Sequence, residues 1–255
     1  MKRLKNRKFA VDLTLLAALA GFALRLLAKK TAGFLWPLCI LAVLFCAAAL
    51  LTAVQLRRRP SFGQNFQPSL LEALALPAAA LLLAAAVIHL RTLTGLNRWM
   101  VGLGGLLSAA GMAAAAVQAL RRTTPNSYFY MALTLGQIVI LIPEFRLWSV
   151  DPRISDYCFA LFARLCMLVA GFQLCGFTLD QGQRQPTAFF SMAGILFAAV
   201  AAADGGWANV LGQLGAVLFL LGVLWAMLTP PRRKRRPAPA PEAVPDTEES
   251  EWSGN

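Results

Sequence analysis

Long apolar blocks separated by short polar connections dominate the chain, in place of a period-2 alternation or a narrow stripe of period 3.6. A block of about 17–25 residues matches the roughly 30 Å hydrocarbon thickness of a bilayer at about 1.5 Å per helical residue. Eight such blocks follow one another. The first covers 9–28 and the second 33–56, which closes on Arg57-Arg58-Arg59-Pro60. The third runs from Ser69 to about 90, where Ser69-Leu70-Leu71-Glu72 reads as a capping box. The fourth covers 98–120, with Asn97 as its cap. The fifth covers 128–148 behind Thr124-Pro125, and the sixth 154–179 behind Asp151-Pro152. The seventh opens at Pro186 and ends at Asp204-Gly205-Gly206, and the eighth covers 207–228 before Pro230-Pro231.

The pattern predicts an all-α integral membrane protein, a polytopic bundle of about eight transmembrane helices over 1–228. Seven is the alternative if the first span is a cleaved signal, since Ala18-Leu19-Ala20 resembles a cleavage site. Asp12 inside the apolar region and the run continuing past that site favour a retained helix. The segment 229–255 is basic, then rich in proline and alanine, then acidic. It carries too little apolar area to offset chain entropy, so it is expected to be a disordered cytoplasmic tail.

Composition agrees with this layout. Apolar residues make up 58% and charged residues 14% of the chain, against about 25% charged in soluble domains. The net charge of +12 raises the question of nucleic acid. The tail is internally balanced, so the whole surplus sits in short clusters at the ends of the spans, facing headgroups rather than forming a basic face with interleaved aromatics. No nucleic-acid partner is expected. The partner is the bilayer itself, with anionic lipid headgroups as candidates for Arg232, Arg233, Lys234, Arg235 and Arg236. With the N-terminus inside, sixteen lysines and arginines fall on the inner side and six on the outer. Trp36, Trp99, Trp148 and Trp207 then line the outer boundary. Both termini are expected in the cytoplasm, in a bacterial-type plasma membrane.

Chemistry-bearing motifs are sparse. Cys39, Cys46, Cys158, Cys166 and Cys175 all lie in apolar segments and read as packing residues; with His89 the one histidine, no metal or cofactor site is expected. Metalloprotease, nucleophile-elbow and phosphate-loop motifs are absent, as is a pair of intramembrane aspartates, so the chain reads as a non-enzyme.

Ionisable residues within the spans have local explanations with one exception. Asp12 reaches the headgroups, Glu72 caps a helix, Arg25 snorkels at a helix end, and His89 sits at a boundary. Arg164 lies ten residues into the sixth span, about 15 Å deep. Thr134, Gln137, Leu141 and Glu144 share one face of the fifth span, with Glu144 about 6 Å and Gln137 about 17 Å deep. They bracket Arg164, and Asp156 on its own helix is the competing partner. The candidate buried polar cluster is therefore Arg164, Glu144, Gln137 and Asp156. Two functional readings follow. The first is a non-enzymatic sensor, assembly or interaction protein, in which Arg164 clamps two helices. The alternative is a small-solute or ion transporter with a polar site at Arg164.

Overall fold

In a computed structural model, residues 2–31, 35–56, 61–66, 68–121, 123–148 and 154–229 are described. They form nine helices: α1 (Lys2–Lys30), α2 (Leu35–Val54), α3 (Phe62–Asn65), α4 (Pro68–Thr92), α5 (Gly95–Leu120), α6 (Ser127–Trp148), α7 (Ile154–Thr178), α8 (Arg184–Ala202) and α9 (Trp207–Leu228). All but α3 are long and apolar enough to cross a membrane. No strand occurs among the described residues. The protein is thus an all-helical polytopic membrane protein with eight candidate spans.

The helices form a ring with an appendage. Moving around the ring, α4 packs on α5, α5 on α6, α6 on α7, α7 on α8, α8 on α9, and α9 closes the circle on α4. A minor contact between α7 and α9 crosses it. The α1–α2 pair leans on α8 from outside, so α8 is gripped by α1, α2, α7 and α9. Burial follows position: 67% of the α8 span is buried, against 22% of α2. The outward side chains of α2, including Trp36, Val43, Leu44 and Leu51, are apolar and exposed, as a lipid-facing surface requires.

Close approach between ring helices rests on small residues. A Cβ on Gly104 would come within 2.7 Å of Gly136 O, and one on Gly111 within 2.5 Å of Phe129 O. These two glycines and Ser108 lie on one face of α5 and seat α6 directly against its backbone. Gly105, one position on from Gly104, faces the other neighbour, where a Cβ would meet Ala86 of α4. Gly194 serves α8 in the same way, where a Cβ would meet Leu220 and Cys166.

Helix starts differ in detail from the expected ones. Helix α5 begins before Asn97, with Thr94 at the cap position. Helix α6 begins at Ser127, beyond Thr124-Pro125. There the side chain of Asn126 accepts from Tyr128 N–H at 3.3 Å, while Asn126 N–H donates to Gln118 Oε1 at 2.8 Å. Asparagine is as good a cap as threonine, and the added tie to α5 fixes the start here. Helix α8 starts two residues before Pro186, which leaves the proline inside the first turn, where no N–H is needed. The side chains of Ser69 and Glu72, and the whole of 230–255, lie outside the described residues.

Candidate functional site

The α5–α6 seam places a polar group where the flanking positions are apolar. Gln137, midway along α6, is fully buried. Its Nε2 donates to Ser108 Oγ at 3.0 Å, and Ser108 Oγ in turn donates to Leu133 O at 3.3 Å. That arrangement turns Gln137 Oε1 toward α7, where Arg164 Nη1 donates to it at 3.4 Å. Two turns further along α6, Glu144 Oε1 accepts from Arg164 Nη2 at 3.3 Å. Arg164 is 7% exposed. One guanidinium therefore joins α6 to α7, and Gln137 extends the chain of bonds to α5.

Both arginine contacts are longer than the roughly 2.7–2.9 Å of a tight charge-assisted bond. Arg164 Nε and Glu144 Oε2 are buried and lack a partner among the described residues. The cluster thus holds one donor and one acceptor in reserve beside a matched pair of charges. Half-buried His89, near the end of α4, lies within electrostatic reach of Arg164. Thr134 shares the face but donates to Tyr130 O on its own helix at 2.9 Å, so it stands outside the network. The side chain of Asp156, the competing partner, lies outside the described residues.

A second buried ion pair escapes a reading of the sequence. Arg25 does not snorkel: it is 5% exposed, and its Nε donates to Asp204 Oδ1 at 2.7 Å. Its guanidinium lies 5.8 Å from the Phe159 ring centroid. Lys29 reaches the same turn, with Nζ 3.6 Å from Asp204 Oδ1 and donating also to Ala203 O. Asp204 follows α8, so three groups tie the end of α1 to the α8–α9 connection. At the opposite end of the same helix Arg184, also buried, donates through Nη2 to Met227 O at 2.8 Å. That bond satisfies a carbonyl in the last turn of α9 with a cation, where the helix dipole is negative. In sequence Arg184 reads only as a basic residue in a connection.

Other polar residues are absorbed locally. Asn209 Nδ2 donates to Ala201 O at 3.0 Å, and Gln213 Nε2 to Asn209 Oδ1 at 3.4 Å. The five cysteines are free thiols, from buried Cys166 to exposed Cys39. Among the described residues, no three His, Cys, Asp or Glu side chains gather in a cluster able to hold a metal. The Arg164 cluster thus links side chains of three helices, α5, α6 and α7, through hydrogen bonds. Comparison with protein-family models, with curated proteins and with solved structures finds no match to this chain, so the cluster is read from its own chemistry.

Proposed function

We propose that this protein is a non-enzymatic membrane component, acting as a sensor, assembly factor or interaction partner through a rigid bundle in which Arg164 is a clasp. The observation that carries this reading is the bonding of Arg164 to Gln137 and Glu144, with Ser108 behind them. These groups use one another across three helices. A cation so placed costs least when its partner is fixed, and here α6 fixes both acceptors. The cavity near the start of α6 is lined by alanine, methionine and aromatic side chains and includes none of the cluster residues.

A second reading, a polar-solute or ion site, draws on the unpartnered Arg164 Nε and Glu144 Oε2, which are suited to a small molecule that both accepts and donates. Complementation of a deletion strain separates the two. The double variant Arg164→Leu/Glu144→Leu removes both charges while keeping apolar volume. If the pair is a clasp, a stably folded double variant complements like the parent protein. A folded double variant that fails to complement overturns the clasp reading in favour of a working polar site.

A further inference from the structure

A short segment with no span of its own packs against α7 and α9 of the ring. Helix α3 lies in the connection between α2 and α4, where exposure is the rule for a loop. Yet Phe62 and Phe66 are 4% and 1% exposed. The turn is closed by Phe66 N–H donating to Phe62 O at 3.0 Å and by Asn65 Nδ2 donating to Ser61 O at 2.8 Å. With residues i and i+4 on one side, both rings face inward, their centroids 4.8 Å apart. Phe62 meets Tyr130 of α6 at 6.3 Å, and Phe66 meets Phe177 of α7 edge-on at 5.1 Å. The segment also touches α9. Tyr130 also lines a small apolar cavity whose walls include Ala75 of α4, Ala116 of α5 and Phe219 of α9. Four ring helices thus line a space that shares Tyr130 with the Phe62 contact.

We propose that α3 is an aromatic plug: Phe62 and Phe66 close this end of the six-helix ring, and their withdrawal opens its interior to water and small solutes. The plug is a single turn of four residues and so has far less surface to bury than a span of about twenty. Such an element releases more cheaply than a packed span. It occupies the half of the ring away from Arg164, so the inference stands independently of the role given to that residue.

The test is labelling of Ala116→Cys by a positively charged methanethiosulfonate, in nanodiscs that leave both faces accessible, with the five native cysteines replaced by alanine. With the plug intact, Ala116→Cys should react at least tenfold more slowly than Thr124→Cys in the exposed α5–α6 connection. Adding Phe62→Ala and Phe66→Ala should raise the Ala116→Cys rate at least tenfold. Phe159→Ala with Phe197→Ala, an aromatic pair between α7 and α8, should leave it unchanged. Hydrogen exchange over residues 115–119 in the native-cysteine protein, with and without the two plug substitutions, gives the same comparison if the cysteine-free background is unstable. Three outcomes overturn the proposal: fast labelling with the plug in place, no acceleration on removing it, or equal acceleration in the control pair.

Discussion

Arg25 and Asp204 are 179 residues apart in the chain and 2.7 Å apart at Nε and Oδ1, and this contact fastens the first span to the last connection. Removing Asp204 alone takes the 2.7 Å carboxylate away from a buried guanidinium. Asp204→Ala should therefore cost about 1–3 kcal/mol of stability, read by denaturant titration in mixed micelles. Lys29→Met should cost well under about 1 kcal/mol, because Lys29 is 43% exposed and its attraction is screened. Equal losses from the two variants would show that Arg25 does not carry the contact.

The Arg164–Glu144 pair gives a different signature. Glu144→Leu strands a buried cation on Gln137 and should cost about 1–3 kcal/mol. Adding Arg164→Leu should recover much of that loss, because the unpaired charge is then gone. A double-mutant cycle on purified protein measures the coupling. Strictly additive losses would mean that the two side chains are neighbours without interacting.

Two glycines test how the ring is packed. A Cβ at Gly136 would lie 2.5 Å from Gly104 O and closer still to Ser108 Oγ. Gly136→Ala should push α5 from α6, stretch the Gln137–Ser108 bond, and cost about 1–3 kcal/mol. A Cβ at Gly212 would meet Ala85 Cβ at an ordinary 3.6 Å. Gly212→Ala should therefore be neutral or stabilise by up to about 1 kcal/mol through helix propensity. Thermal melts of the two variants decide it, and a drop at Gly212 to match Gly136 would count against this packing.

Topology follows from charge placement. The sixteen-to-six bias of lysine and arginine predicts a cytoplasmic reporter when fused after Asn255. A cysteine placed within 149–153 should react with impermeant reagent from outside the cell. A C-terminal reporter active only on the outer side would reverse the assignment.

The spans were legible because apolar length is a one-dimensional property: a helix either has enough residues to cross hydrocarbon or it does not. The meeting of Arg164 with Gln137 and Glu144 was legible for a related reason. Helices joined by a short connection run antiparallel, and equal depths on them can be counted from the shared end. Arg25 was misread because its partner lies beyond the α8–α9 packing, which no local period encodes. Ser108 takes its role only from the α5–α6 seam, which brings its hydroxyl to Gln137. The plug was invisible since four residues hold a single turn, too short for any periodicity. The order of helices around the ring likewise depends on side-chain complementarity between non-neighbours such as α4 and α9.

The placement of α1 and α2 has a consequence for how the molecule is made. Outside their own pairing, these helices rest mainly on α8, with a light contact to α9, the Arg25–Asp204 pair and the Arg25–Phe159 contact to α7. A chain inserted from its N-terminus therefore puts its first two spans into lipid long before the surface they rest on exists. Until residues 184–228 arrive, Arg25 has no Asp204 to meet, and the inward faces of both helices are covered by lipid or by the insertion machinery. The α1–α2 hairpin thus enters the membrane before its docking surface is made, and its seating on α8 waits for that later helix.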